Sequence, residues 1–146
     1  MKLVRREFLY LAGAAVSTSS VSGIVKAQTA PGTPKLTQIL RKDLEGQGQV
    51  VKETVVLVGE FGPGTGTPWH MHPGAQEVLY VQEGSLMVEV EDKGTTAIKA
   101  GDCYLIPAEV PHRARNESAT ASAKSVVIYS RSDKDKPLLV PVKKAT

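Results

Sequence analysis

Residues 64–84 read G-T-G-T-P-W-H-M-H-P-G-A-Q-E-V-L-Y-V-Q-E-G, from Gly64 to Gly84, and hold two of the chain's three histidines. His70 and His72 are one residue apart. On a strand successive side chains alternate faces, so both imidazoles point to one side and can grip one ion together. Pro73 and Gly74 are turn residues that fold the chain back and swing the Glu77 carboxylate towards the same point. The third histidine, His112, stands in a second block, Gly101 to Asn116, which reads G-D-C-Y-L-I-P-A-E-V-P-H-R-A-R-N. Three imidazoles and one carboxylate form a mixed nitrogen and oxygen donor set. It suits one divalent transition metal per chain (Mn, Fe, Ni, Cu or Zn) and not calcium or a thiolate-seeking ion.

Outward from these blocks the pattern is that of short strands. Val50 to Phe61, V-V-K-E-T-V-V-L-V-G-E-F, has the β-branched composition of a strand long enough to cross a small barrel. Val78–Gln82 and Leu86–Glu91 read as strands around Glu83-Gly84-Ser85, taken as a short hairpin loop. Asp92-Lys93-Gly94 closes a further hairpin into Thr95–Lys99. Cys103–Ile106, Val110–Arg115 and Ser125–Ser130 complete the set, and Leu36–Leu44 is a short edge strand or a turn of helix. About eight strands with turn signals between them, and no convincing helix, make an all-β antiparallel sandwich or barrel. Cys103, in the apolar run C-Y-L-I, is expected as a small buried hydrophobe. Trp69 and Met71 alternate with the histidines and face away from the ion, as do Arg113 and Arg115 beside His112. Parity places Phe61, Leu79, Val81, Tyr104, Ile106 and Tyr129 around the cavity.

The two blocks resemble the paired signature of the cupin superfamily. Gly64, His70, His72, Glu77 and Gly84 fall on every position of its first motif, and Gly101, Pro107, His112 and Asn116 fit the second, with Glu109 where the family has glycine. The resemblance covers roughly residues 50–131. It implies a double-stranded β-helix, a jelly-roll barrel that holds a metal inside one end on His70, His72, Glu77 and His112. Four protein ligands on an octahedral ion leave two positions open for oxygen or a chelating substrate. Barrels of this family often dimerise through terminal strands, which makes the apolar stretch Leu138–Val142 a candidate homodimer contact.

The first 27 residues are set apart from this barrel. Lys2, Arg5 and Arg6 precede an apolar or small run from Phe8 to Val16, and Val25-Lys26-Ala27 offers a cleavage site. R-R-E-F-L resembles a twin-arginine export signal, and the weak, serine-loaded apolar region suits that route. No run reaches the roughly 20 apolar residues that span a bilayer, and no cysteine near the cleavage site could carry a lipid. The division expected is therefore a signal at 1–27, a lead-in at 28–49, the barrel at 50–131 and a tail at 132–146, with the mature protein periplasmic or secreted. The chain's net charge of +3 lies in the signal, which holds four basic residues and one acid. The mature chain is formally neutral, so basicity gives no reason to expect nucleic acid.

Two functional classes stand open on this reading. One is a metal-dependent oxidoreductase, dioxygenase-like, acting on a small organic molecule; the other is a metal-dependent binding or sensing protein without chemistry. No arginine or lysine can be assigned to the pocket, so neither a sugar phosphate nor a carboxylate substrate is indicated, and an apolar pocket would favour aromatic or phenolic substrates. Isomerase activity is the weaker option for the same reason. Twin-arginine export carries folded proteins, so the ion would be chosen in the cytoplasm, where copper and zinc are scarce. That favours Mn or Fe over Ni, Cu and Zn.

Overall fold

A computed structural model describes residues 32–44, 48 and 50–144. The expected signal at 1–27 lies outside the described residues. Ten strands run in chain order: β1 Lys35–Asp43, β2 Glu53–Phe61, β3 His70–Met71, β4 Ala75–Glu83, β5 Ser85–Val90, β6 Gly94–Lys99, β7 Cys103–Ile106, β8 His112–Arg115, β9 Ala123–Arg131 and β10 Val140–Pro141. They form two antiparallel five-stranded sheets, ordered β1-β2-β9-β4-β7 and β10-β3-β8-β5-β6. The described residues contain no helix.

Alternation explains why the sheets close on one another. In β9, and in β4 as far as Val81, every second side chain is buried, and in β5 Leu86, Val88 and Val90 are, so each strand buries one mostly apolar face. Val55, Leu79, Val81, Leu86, Val88 and Ile106 meet between the sheets and are almost fully buried. Each such side chain contributes about 2 kcal/mol relative to exposure. One end of this interior is polar instead, and there the histidines converge.

Two expectations change at this level. Glu83-Gly84-Ser85 is not a hairpin loop: β4 pairs with β7 and β9, while β5 pairs with β6 and β8. The turn carries the chain from one sheet to the other. Gly84 serves that crossing with φ 73° and with the Ser122 carbonyl 2.8 Å from where a Cβ would stand, so both conformation and space demand glycine. Cys103 is exposed and not buried. In β7 it is Tyr104 that packs against the core and Ile106 that is buried in it, which turns Cys103 and Leu105 to the outside.

The segment after β9 returns to the barrel. Buried Arg131 pairs with buried Glu53, which also accepts from Arg41 Nη1 at 2.7 Å, and donates to the carbonyls of Lys134 and Lys136. Held this way, the chain reaches β3, where Val140 pairs with Met71 and Pro141 with His70. On the outer face of that sheet Glu89 accepts from Arg113 Nε at 2.9 Å and Arg115 Nε at 2.8 Å, and Arg113 lies 5.4 Å from the Trp69 ring centre. Arg113 holds the Glu89 carboxyl below its ordinary range, against a smaller opposing effect of burial.

Candidate metal centre

Both sheets supply the site. β3 and β8 bring His70 opposite His112, with ring centres 4.3 Å apart, and β4 brings Glu77 from the facing sheet. His72 follows β3 in the turn, its ring centre 4.9 Å from His70 and 5.1 Å from His112. One ligand atom from each of the four residues lies within 4.8 Å of the others, and all four residues are buried.

Backbone carbonyls fix each imidazole. Nδ1 of His70 donates to Pro68 O at 2.8 Å, Nδ1 of His72 to Leu138 O at 2.5 Å, and Nδ1 of His112 to Val110 O at 2.8 Å. With the proton on Nδ1, the Nε2 lone pair is left free to act as a ligand. His72 Nε2 and His112 Nε2 lie 2.9 and 3.1 Å from Glu77 Oε2. His72 Nε2 is close but not directed along a hydrogen bond, and it is a buried nitrogen without a partner. Lone pairs of two imidazoles facing a buried carboxylate repel one another unless a cation stands between them. The donor set and its tautomers therefore fit a transition-metal ion.

Electrostatics agree with that reading. Burial and the neighbouring His112 push His70 down to about 4, so it stays neutral and available as a ligand. Burial alone would raise Glu77, but in the metal-free chain protonated His112 and His72 imidazoles beside it outweigh burial and lower the carboxyl to about 2. Burial, and then Glu77, raises the Tyr129 phenol well above its ordinary value. The Tyr129 ring centre lies 4.5 Å from that of His72.

Beside His70, Glu77 and His112 is a cavity of about 30 Å³, bounded by Leu36, Phe61, Thr67, Leu79, Tyr129 and Leu139 among others. A single water needs roughly half that space. Larger hollows of about 340 to 390 Å³ are open surface grooves that contain none of the four candidate ligands. Of the expected lining, Phe61, Leu79 and Tyr129 border the cavity; Val81 and Ile106 pack in the apolar core, with Tyr104 against it. Thr67 and Leu139 were not anticipated. Leu139 had a signal in the apolar run at 138–142, but only the return of the chain to β3 shows its place.

Two motif residues are explained by the backbone they organise. Asn116 is buried, and its Nδ2 donates to the carbonyls of Phe61, Gly62 and Ala121 while its Oδ1 accepts from Ser118 N at 3.0 Å. It ties the end of β2 to the loop after β8. Glu109 takes φ 64°, the left-handed conformation glycine would adopt, and its Oε1 accepts from Gly74 N at 2.9 Å.

A double-stranded β-helix that gathers three imidazoles and a carboxylate at one end of its interior defines a metal-binding class of β-barrel. More particularly, this chain belongs to the Cupin domain family, whose sequence profile matches residues 57–129. It is 41% identical over 67 residues to the uncharacterized protein YdbB of Bacillus subtilis, 46% of this chain and 54% of that one. It is 31% identical over 90 residues to oxalate oxidase GF-3.8 of Triticum aestivum, 57% of this chain and 39% of that one. The chain thus spans about half or less of these relatives. A solved double-stranded β-helix protein of Klebsiella pneumoniae superposes with a TM-score of 0.61 at 20% identity, covering 81% of this chain and 91% of that one.

Proposed function

We propose that this cupin is an exported, metal-dependent oxidoreductase, dioxygenase-like in class, acting on a small organic molecule. One observation carries the proposal: three Nδ1-anchored imidazoles converge with Glu77, and His70, Glu77 and His112 border a small, largely apolar cavity whose lining includes no lysine or arginine. Without a cationic side chain, a substrate's own donor atoms must reach the ion directly. The similarity to the wheat oxalate oxidase supports redox chemistry at a small chelating molecule.

Manganese or ferrous iron, when bound, would supply open coordination positions and a one-electron couple. Within the chain, His70, His72, Glu77 and His112 would hold the ion, each imidazole oriented by its carbonyl. Leu36, Phe61, Leu79 and Leu139 exclude bulk water, which strengthens polar interactions inside. Tyr129 keeps its proton through the physiological range, so it is placed to donate a hydrogen bond to a bound oxygen atom of a substrate.

The test is oxygen uptake by protein loaded with manganese or iron, against chelating acids, alcohols and phenols graded in size. Uptake that needs both the ion and one of these compounds, and that His112→Ala abolishes, supports an enzyme. Saturable binding without uptake supports a second reading, a protein that captures or senses a small ligand. The cavity favours it in one respect, since about 30 Å³ admits little more than water unless the walls move. Export rests on R-R-E-F-L, and replacing Arg5 and Arg6 by lysine should retain the precursor inside the cell.

A further inference from the structure

The cavity beside the metal ligands holds about 30 Å³, so an organic molecule reaches the ion only if one wall gives way. Most of the wall cannot move without disturbing the core. Phe61, Leu79, Val127 and Tyr129 stand on the long paired strands β2, β4 and β9, and each is almost fully buried. Phe61 and Leu36 are also packed over Gly59, with Phe61 Cε2 3.0 Å and Leu36 Cδ2 3.3 Å from where a Cβ on that glycine would stand. Thr67 is tied to β8, its Oγ1 accepting from Ala114 N at 3.0 Å. Leu139 differs from all of these. It lies outside the strands, just before the two-residue β10, and it is 39% exposed while bordering the cavity. At that point a single side chain separates the cavity from solvent.

We propose that Leu139 is the gate of the metal centre and sets the size of ligand that reaches the ion. Resting on the metal-dependent reading above, this role needs an ion at the site but no turnover. The bonds on either side of the residue decide what moves. Leu138 packs against the core and gives its carbonyl to His72 Nδ1 at 2.5 Å, and Val142 N donates to Trp69 O at 3.0 Å. Displacing the backbone between these bonds would let the His72 ring turn and loosen the ion. Rotation of the Leu139 side chain into solvent breaks neither bond, and exposed side chains change rotamer in picoseconds to nanoseconds. The ready opening is therefore the space that one leucine vacates. A ligand of a few atoms passes through it, whereas an aromatic ring must wait for the rarer displacement of the whole segment Leu138–Val142.

Ligand entry to the full chain loaded with cobalt(II) tests the gate, followed by stopped-flow absorbance with azide and with catechol. Catechol should bind Leu139→Ala at least about 10-fold faster than wild type, and Leu139→Trp at least about 10-fold more slowly. Azide should enter wild type and Leu139→Ala at rates within about 3-fold of each other. Cobalt affinity should be equal in all three chains, because the Leu138 carbonyl stays in place, and a retained metal-induced rise in melting temperature shows that each variant folds. Equal catechol rates in the three chains, or no entry of catechol into any of them, would overturn the proposal. So would faster entry in Leu36→Ala with no change in Leu139→Ala, which puts the route at β1. Cobalt affinity lost in Leu139→Ala would make the residue a support of the ligands and not a gate. A chain that takes up no cobalt would overturn the metal-dependent reading and the gate with it, whereas absent oxygen uptake would touch only the oxidoreductase reading.

Discussion

His72 is held between two demands, Nδ1 on the Leu138 carbonyl and Nε2 beside Glu77 without a hydrogen-bond partner. An ion resolves the second demand. Because it binds the folded chain alone, metal at 100 times its Kd should add about 2.7 kcal/mol of stability, and His72→Ala should abolish the accompanying rise in melting temperature. A melting curve unchanged by chelation of the wild type would count against the centre. Glu109 offers a second test at this scale. Its φ of 64° costs a non-glycine residue about 1 kcal/mol, offset by the bond from Gly74 N. Glu109→Ala keeps the strained conformation and loses the bond, so it should be less stable by about 1 kcal/mol, while Glu109→Gly should stay closer to wild type. Urea unfolding of the two variants measures the order, and the reverse order would remove the carboxylate from this explanation.

At the scale of elements, β3 is only two residues long and depends on its neighbours for its position. β8 pairs with one side and β10 with the other, and the segment leading into β10 supplies both the Leu138 carbonyl and the Leu139 wall of the cavity. A chain ending at Lys136 keeps the carbonyls that Arg131 holds but loses that support. Groups that orient a ligand typically matter by a factor of about 10 to 100 in metal affinity. The truncated chain should therefore yield bound cobalt to a competing chelator about 10 to 100 times more readily, followed by cobalt absorbance. Equal affinity in both chains would mean that β10 is not part of the site. Sequence made β5 and β6 legible as a hairpin, since D-K-G is a local turn signal, and the two strands do pair in register across it. E-G-S looked the same. A turn's residues specify how the chain bends, whereas the sheet that each arm joins depends on distant strands.

For the whole molecule, the buried site makes stability sensitive to acid. In the metal-free chain, unfolded His70 takes a proton near 6.5 while the folded state resists until about 4. The unfolded state binds more protons in that window, so stability is full above pH 6.5 and falls as the pH drops towards 4, by at most about 3 kcal/mol. Glu77 extends the loss from 4.5 down to about 2, because its folded carboxylate resists protonation. Urea unfolding across this range should show the slope, and a flat profile between about pH 7 and 4 would contradict it. What the sequence by itself determined was the all-β class and the proximity of His70, His72 and Glu77, because strand parity and a Pro-Gly turn act over a few residues. His112 entered through the likeness of its block to a known motif, and the structure brings it opposite His70. Only the tertiary structure decided that Cys103 faces outward, that Arg131 is buried with Glu53 and that Leu139 walls the cavity. Each of these depends on which strand lies beside which and in what register, and no local pattern in the chain encodes that choice.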